Sequence, residues 1–260
     1  MTQLKKNNYN TFSNSLLSWY DLNRRILPWR APPGEISNPY FVYLSEIMLQ
    51  QTVVKTVIPY FLKFVRKWPD INALAKAELH EINSYWAGLG YYSRAKNLHE
   101  TAKIISNKYD GFFPTDKNSL IALPGIGEYT SSAIMAIAFE RKSNVIDGNV
   151  ERVLKRYLYL KKNKEIQKDY LLQKKIVFGK TLRSSDYAQA LMELGALICK
   201  PNNPKCYTCP IKKNCKSRIS DKVLSYPLKN KKNKIPHLIV GAAVIKDPKK
   251  GFLIAQRNKN

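Results

Sequence analysis

The chain has 260 residues, of which 44 are Lys or Arg and 19 are Asp or Glu, so its formal net charge is +25 at pH 7. A hydrophobic content of 44% with 11% aromatic residues excludes an intrinsically disordered chain and predicts a globular protein with one or two cores. The excess of cations favours a polyanionic partner, because clustered cations gain affinity by releasing counterions from phosphates. The alternative is a lysine-rich composition that only maintains solubility.

The first ten residues, MTQLKKNNYN, have no apolar core, which excludes a secretory signal peptide. Elsewhere no run approaches the ~20 apolar residues of a membrane span. We therefore expect a cytoplasmic, nucleoid-associated protein with no membrane partner. In such a reducing compartment the four cysteines are not expected to form disulfides.

Apolar spacings of three and four predict helices through most of the chain as far as residue 220. Ser93 and Thr115 are candidate N-caps, and the glycines of AGLGYY predict a break between helices. A mainly α first domain over residues 1–225 follows from this pattern. The predicted helices lie at 10–23, 45–58, 72–86, 93–109, 116–122, 128–140, 148–160, 166–178 and 184–198.

The pattern changes near residue 226. Residues 226–235 are polar and basic, which predicts a linker. Residues 236–260 contain two β-like runs around Asp-Pro-Lys-Lys-Gly, which predicts a hairpin. Because two strands cannot form a stable domain by themselves, we expect residues 236–260 to be the incomplete start of a second domain.

One carboxyl group stands in an apolar context. Glu46 lies among Tyr43, Leu44, Ile47 and Met48. Such surroundings desolvate a carboxyl group and favour its protonated form. The alternative places Glu46 on the solvent face of its helix, as for most glutamates.

A bare turn occurs within the stretch ALPGIGEYTSSAIMAIAF. Gly125 and Gly127 can adopt positive φ and let a phosphate approach the backbone. The first N–H groups of the following helix are unpaired and lie at the positive end of its dipole. The turn therefore predicts a phosphate-binding hairpin, and an ordinary helix–helix turn is the alternative.

A second acid, Asp147, precedes a helical pattern in VIDGNVERVLKRYL. As an N-cap its carboxylate would accept backbone hydrogen bonds, which together with the helix dipole favour the charged form. A purely structural cap is the alternative. Together, Glu46 and Asp147 are typical of an acid pair in which one group donates a proton and the other remains an anion.

All four cysteines lie within residues 199–215, with the spacing C-x6-C-x2-C-x5-C. Four thiols this close in a reducing compartment indicate a metal ion or an iron–sulfur cluster. Zinc sites usually contain two short C-x2-C pairs, whereas this spacing has one, which favours a four-iron cluster. Unrelated buried thiols remain the third interpretation.

Several motifs resemble one enzyme family. LPGIGEYT resembles the helix-hairpin-helix of DNA base-excision glycosylases, and DGNVERVL resembles the region of their catalytic Asp. The cysteine spacing looks like the cluster of the endonuclease III and MutY-type branch. LPWR, SEIMLQQT, GLGYYSRAKNLH and LMELGALIC are similar to MutY-type adenine DNA glycosylases, so the resemblance covers about residues 10–228. Residues 236–256 look like the opening hairpin of that family's C-terminal Nudix-like domain.

The resemblance implies a helix-hairpin-helix glycosylase fold with a 4Fe-4S cluster, and a monomer that acts on double-stranded DNA. The implied activity removes adenine mispaired with 8-oxoguanine or guanine, after the base is flipped into a pocket. Glu46 matches the general acid that protonates adenine N7, and Asp147 matches the carboxylate that stabilises the oxocarbenium-like sugar. Asn149 matches a residue that orients the site. Tyr129 occupies the place where endonuclease III-type relatives carry a lysine nucleophile, which implies a glycosylase without lyase activity.

The resemblance also implies a set of binding residues. Gln189 departs from the Glu of some members. Gln51 and Tyr91 match residues that enter the base stack, and an aromatic wedge is physically suited to that role. The pocket residues are Arg25, Trp29, Leu49 and Gln189, the phosphate-binding residues are Gly125 and Gly127, and the cluster ligands are Cys199, Cys206, Cys209 and Cys215.

Two other functions fit parts of the sequence. An endonuclease III-like pyrimidine glycosylase and lyase would share the hairpin and the cysteines, but Tyr129, LPWR and SEIMLQQT argue against it. A non-catalytic, metal-stabilised DNA-binding module would not need two acids in contrasting settings.

Overall fold

The computed structural model describes residues 3–160, 181–226, 245–248 and 251–253. The predicted helix at 166–178 and most of the predicted linker lie outside these ranges. The chain divides into two compact units, Met1–Leu228 and Lys229–Asn260. The larger unit is mainly α-helical, which confirms the predicted fold class.

The larger unit contains eleven α-helices among its described residues, a π-helical segment that continues α10, and two short 3-10 turns around the cysteines. The π-helical segment is Leu194–Ile198, and the turns are Cys206–Thr208 and Lys212–Asn214. The helices are α1 (Gln3–Asn23), α2 (Pro39–Leu49), α3 (Val54–Lys67), α4 (Ile71–Ala75), α5 (Leu79–Trp86), α6 (Ser93–Lys108), α7 (Lys117–Ile121), α8 (Glu128–Ile137), α9 (Gly148–Leu158), α10 (Ser184–Glu193) and α11 (Lys216–Ile219).

Two predicted helices are each divided in two. Residues 45–58 form the end of α2 and the start of α3, and residues 72–86 form most of α4 and all of α5. The apolar spacing passes through both breaks because the helices on either side bury their faces in the same core. Gln51 interrupts the first pattern with a φ of 56°.

Two predicted N-caps are wrong. Ser93 is the first residue of α6, and Tyr92 precedes it without a side-chain capping bond. Asp116, not Thr115, caps α7, and its Oδ1 accepts a hydrogen bond of 2.9 Å from the Ser119 N–H. A carboxylate is the stronger acceptor for an unpaired N–H group at a helix N-terminus.

Two groups of buried apolar side chains stabilise the larger unit. The first core joins α2 to α8 and includes the fully buried rings of Phe61, Phe64 and Trp86. The second core joins α1, α9 and α10 and includes Leu16 and Leu194. Aromatic side chains of this size bury about 150–250 Å² each, which makes them dominant in the packing.

The turn between α7 and α8 has one glycine in the left-handed region. Gly125 has a φ of 75°, and a Cβ there would lie 2.9 Å from Asn97 Cβ, so no other residue fits without displacement. Gly127 is different, because its φ is −97° and its backbone is extended. The prediction of positive φ is therefore confirmed for Gly125 and wrong for Gly127, which instead precedes α8 as a bare N-cap.

In the smaller unit, β1 (Lys246–Asp247) pairs antiparallel with β2 (Gly251–Phe252), which confirms the predicted hairpin. Lys246 lies opposite Phe252, and Asp247 lies opposite Gly251.

Within the described ranges, no helix combines the length and apolarity needed to cross a membrane.

Candidate active site

A cavity of about 950 Å³ lies between the two cores of the larger unit. Side chains of α2, α3 and α8 line it from one half, and side chains of α9 and α10 line it from the other half. It brings together nine of the twelve residues predicted for catalysis or DNA binding. Tyr91, Gly125 and Gly127 are not part of its lining. The nine are Arg25, Trp29, Glu46, Leu49, Gln51, Tyr129, Asp147, Asn149 and Gln189.

Glu46, on α2, is buried, as its apolar neighbours predict. Desolvation raises the pKa of its carboxyl group to about 7, and the hydrogen bond with the Tyr129 hydroxyl partly offsets that rise. The charge of Asp147 acts in the same direction as burial. Near neutral pH, Glu46 can therefore hold a proton and release it, as a general acid requires.

Tyr129 lies in the first turn of α8, directly after the α7–α8 turn. Its hydroxyl is 3.5 Å from Met192 Sδ and forms a hydrogen bond with Glu46. Burial and the two nearby acids raise the pKa of Tyr129 well above its ordinary value. The phenol therefore keeps its proton and acts as a hydrogen-bond donor towards Glu46.

Asp147 is the N-cap of α9, as predicted, and Asn149 lies beside it. Asp147 Oδ1 accepts a hydrogen bond of 2.7 Å from the Val150 N–H, and Oδ2 accepts one of 2.9 Å from Asn149 Nδ2. Both oxygens are thus held in place, and the positive end of the α9 dipole favours negative charge at this position.

Three pocket residues are fixed by packing. Trp29 is buried in the first core, with its ring 5.3 Å from that of Phe61 in an edge-on contact. Leu49 is half-buried against the same core. Gln189 is buried, and its Nε2 donates a hydrogen bond of 3.0 Å to Ser185 Oγ.

A buried ion-pair cluster lies at the edge of the cavity. The carboxylate of Glu193, at the end of α10, has no solvent exposure. Arg25 Nε is 2.9 Å from one of its oxygens, and Arg30 Nη1 is 2.5 Å from the other. The predicted pocket residue Arg25 is therefore held in one orientation by a partner that the sequence analysis did not single out.

Arg152, on α9, connects Asn149 to the cysteine segment. Its Nη2 donates to Asn149 Oδ1 at 2.9 Å and to the Gly195 carbonyl at 2.8 Å, while its Nε donates to the Cys199 carbonyl at 2.8 Å. At Gly195 a Cβ would lie 2.6 Å from Asn149 Cβ, so the close approach of these segments requires glycine.

The four cysteines line a second, largely apolar cavity. Burial raises the pKa of the Cys209 thiol to about 12, so the protein alone disfavours its thiolate form. Among the described residues, no three His, Cys, Asp or Glu side chains are grouped as ligands of a single metal ion. Four thiols around one cavity form a donor set that suits a metal ion or an iron–sulfur cluster.

Two features outside the cavity, and one residue of its lining, face solvent. The first turn of α8 has no side-chain cap, and a Cβ on Gly127 would meet no atom within 4 Å. Tyr91 is 62% exposed and has a φ of 49°, and Gln51 is also exposed with positive φ. Strained, exposed residues of this kind concentrate at functional sites.

The sequence model of the HhH-GPD superfamily of base excision DNA repair proteins matches residues 44–176. This range includes Glu46, the α7–α8 turn and Asp147. The chain belongs to the HhH-GPD superfamily.

Individual proteins similar to this chain are adenine DNA glycosylases. The chain is 44% identical over 229 residues to an adenine DNA glycosylase of Buchnera aphidicola subsp. Baizongia pistaciae, covering 86% of this chain and 64% of that protein. It is 42% identical over 216 residues to the adenine DNA glycosylase of Homo sapiens, covering 80% of this chain and 39% of that protein. The chain thus spans less than two thirds of the length of either relative.

A solved structure of a thermostable thymine-DNA glycosylase is also similar. It is 30% identical with a TM-score of 0.71, and the match covers 82% of this chain and 98% of that one.

Four functional candidates were missed by the sequence analysis: Arg30, Arg152, Met192 and Glu193. Arg30 lies within LPWR, and Met192 and Glu193 lie within LMELGALIC, so both motifs were recognised without their individual side chains being assigned. Each of the four has a partner more than 40 residues away along the chain, and only the fold brings these pairs together.

Proposed function

We propose that this chain is a monofunctional adenine DNA glycosylase that acts on double-stranded DNA containing adenine opposite 8-oxoguanine or guanine. The observation that carries the proposal is the pair of unlike acids in one cavity, a buried Glu46 and a hydrogen-bonded Asp147. Identity of 41–44% to adenine DNA glycosylases supports the choice of base.

Glu46 supplies the proton. With a pKa of about 7, its carboxyl group gives a proton to adenine N7 when the base is flipped into the cavity. The N-glycosidic bond then breaks, and its electron pair leaves with the protonated base as neutral adenine. Water adds to C1′ of the sugar, and the proton that it loses returns to the Glu46 carboxylate.

Asp147 supplies the negative charge that opposes the oxocarbenium-like sugar. Its two oxygens are held by the Val150 N–H and by Asn149, so little reorganisation is needed as charge develops on the sugar. Arg152 fixes Asn149 in turn. The roles of Asn149 and Arg152 are thus to orient the carboxylate.

Tyr129 supports the absence of lyase activity. A lyase needs an amine that forms a Schiff base with the sugar, and a phenol cannot form one. The hydrogen bond from Tyr129 to Glu46 suits a role in orienting the acid. We therefore propose that the product is an intact strand with an abasic site.

The proposed cofactor is a 4Fe-4S cluster held by Cys199, Cys206, Cys209 and Cys215. The cavity shared by these thiols supports it, and such a cluster would hold the thiols as thiolates in a loop that carries several lysines. The basic loop and the bare N-terminus of α8 are the proposed phosphate contacts.

The domain division is also a proposal. Residues 1–225 would form the glycosylase domain, 226–235 the linker, and 236–260 the first hairpin of a Nudix-like domain. The division into two compact units and the β1–β2 pairing support this arrangement.

The test is a single-turnover assay on a duplex with adenine opposite 8-oxoguanine, analysed with and without alkali. We expect strand breaks only after alkali, no borohydride-trapped adduct, and a loss of base release of about 10²–10⁴-fold in Glu46→Gln. Glu81→Gln is the matched control, because Glu81 lies on α5 and pairs with Lys67 near the surface.

Parallel duplexes carry adenine opposite guanine, thymine opposite guanine, or an oxidised pyrimidine. Release of thymine or of the oxidised pyrimidine without release of adenine would overturn the assignment of the base. Strand breaks without alkali that persist in Glu46→Gln would overturn the monofunctional mechanism.

A further inference from the structure

One buried arginine connects two surface loops that are 40 residues apart in sequence. Arg94 lies in the first turn of α6 and is buried. Its Nη1 donates to two carbonyls in the last turn of α2 and to one carbonyl in the loop that follows α2. Its Nη2 donates to a hydroxyl in that loop and to two carbonyls of the loop before α6. The acceptors are Ile47, Met48 and Gln50 at 3.1, 2.8 and 2.7 Å, and Thr52 Oγ1, Leu89 and Gly90 at 3.2, 2.9 and 3.2 Å.

Arg94 binds the C-terminal end of α2 and fixes the loop before α6. Ile47 and Met48 belong to the last turn of α2, whose carbonyls have no partner within the helix. A cation is favoured at the negative end of a helix dipole, so Arg94 also acts as a C-terminal cap for α2. The loop before α6 is further fixed by a hydrogen bond of 2.9 Å from Trp86 Nε1 to the Gly90 carbonyl.

Each of the two loops presents one exposed residue in the left-handed region. Gln51, with a φ of 56°, follows the Gln50 carbonyl that Arg94 binds. Tyr91, with a φ of 49°, follows the Gly90 carbonyl that Arg94 also binds. The guanidinium carbon of Arg94 is 5.6 Å from the centre of the Tyr91 ring and 5.2 Å from that of Trp86.

We infer that Arg94 is a positioning residue that holds Gln51 and Tyr91 at a fixed separation, so that the two side chains enter the DNA stack together. The inference rests on the proposed function, because it takes a duplex opened at a mispaired adenine as the substrate. Arg94 does not touch the reacting atoms and acts only through the two loops. A planar guanidinium suits this role, since its fork of donors reaches acceptors on both sides, whereas lysine offers three donors from one atom.

The first test is a double-mutant cycle on affinity for the adenine:8-oxoguanine duplex, in a Glu46→Gln background that prevents base release. We expect Gln51→Ala to weaken lesion binding about tenfold with Arg94 present, and less than twofold in Arg94→Lys. The cycle with Gln51→Ala is the more informative one, because Arg94 binds the backbone beside Gln51, whereas it contacts the Tyr91 ring directly. Tyr91→Ala should follow the same pattern.

Arg156→Lys is the matched control. Arg156 is also buried and also binds carbonyls, those of Lys200, Pro201 and Tyr226, but it lies in the other half of the unit. We expect the effect of Arg156→Lys on duplex affinity to add fully to that of Gln51→Ala. Full additivity for Arg94→Lys as well would overturn the inference and leave Arg94 a structural residue only.

The second test reports the insertion itself. A 2-aminopurine beside the mispair brightens when its neighbours are unstacked. At saturating protein we expect this rise with Glu46→Gln, its loss when Arg94→Lys is added, and its retention when Arg156→Lys is added. Thr52→Val, which removes one Arg94 partner without emptying the core, should give an intermediate rise and serves if Arg94→Lys does not fold.

An unchanged rise in both Arg94→Lys and Thr52→Val would refute the positioning role while leaving the proposed function intact. Absence of the rise and of base release with the unmodified chain would instead overturn the proposed function, and the inference with it.

Discussion

The α2–α8 half and the half built from α1, α9 and α10 each contribute one carboxyl group to the same cavity. In the first half, Glu46 is buried in an apolar core, and its main polar partner is a phenol. In the second half, Asp147 lies at a helix N-terminus and accepts two hydrogen bonds. Two chemically similar side chains therefore lie in contrasting surroundings, one buried and the other at a helix end, which suit the two roles proposed for them.

The halves also differ in how they are stabilised. The first core is large and contains most of the buried aromatic rings of the unit. The second core is smaller, and it adjoins the cysteine segment through Ile211, Cys199 and Cys209. A small core often needs a disulfide or a metal site to be stable, so we expect the second half to depend on the proposed cluster.

The largest expected effect is a loss of stability in the second half. Cys209→Ala removes a proposed cluster ligand and should destabilise the second half by about 4 kcal/mol, as for the loss of a structural metal site. Hydrogen exchange should accelerate in α1, α9 and α10 and remain slow in α3 and α5. Ser217→Ala, a buried small residue in the same segment, is the control, and equal effects of the two variants would contradict the cofactor dependence.

Asp147→Asn separates the structural from the electrostatic role of the second acid. Asn is as good an N-cap as Asp, so the free energy of unfolding should change by less than about 0.5 kcal/mol. Base release should nevertheless fall by about 10²–10³-fold, because the charge that opposes the sugar cation is lost. Urea unfolding and single-turnover assays measure the two effects, and a stability loss that matches the activity loss would contradict the separation.

Glu46→Gln should stabilise the protein at high pH. The folded pKa of about 7 exceeds the ordinary value of 4.5, so stability is fully present below pH 4.5 and is lost as pH rises through 7. Above pH 7 the variant should be more stable than the unmodified chain by about 3 kcal/mol, and at pH 4 the two should be alike. Unfolding at pH 4, 6 and 8 measures the difference, and a constant difference would exclude a buried, titrating Glu46.

The rate of base release should follow the same titration. Because Glu46 must be protonated to act as the acid, the single-turnover rate should fall about tenfold per pH unit above pH 7. Tyr129→Phe removes the hydrogen bond that lowers this pKa, so its profile should shift to higher pH. A flat profile between pH 6 and 9 would show that Glu46 is not the proton donor.

The smallest expected effect concerns the proposed phosphate contact. Glu128 is exposed in the first turn of α8 and pairs with Lys117 at 2.5 Å, so its charge opposes a phosphate at the same place. Glu128→Gln should raise affinity for undamaged duplex by about threefold at low salt, because the repulsion of the phosphate is removed. The loss of the exposed ion pair should change stability little. Fluorescence anisotropy at two salt concentrations measures this change, and an unchanged affinity would argue against phosphate binding at α8.

The sequence determined the local features of this protein. The mainly helical fold, the burial of Glu46, the cap formed by Asp147 and the β1–β2 hairpin follow from spacing, composition and residue chemistry within short stretches. The breaks at Gln51 and between α4 and α5 were missed, because apolar periodicity indicates which face of a helix is buried and not where the helix ends.

The tertiary structure alone decided which distant groups meet. The pairs Arg25–Glu193 and Arg152–Cys199, and the loops joined by Arg94, depend on partners that local patterns do not relate. Each of these contacts places a charged or polar group in a buried or half-buried position, where its free energy depends on the exact partner that the fold supplies. Residue types thus predicted the local surroundings of the two acids, whereas packing of the two halves decided the geometry of the site.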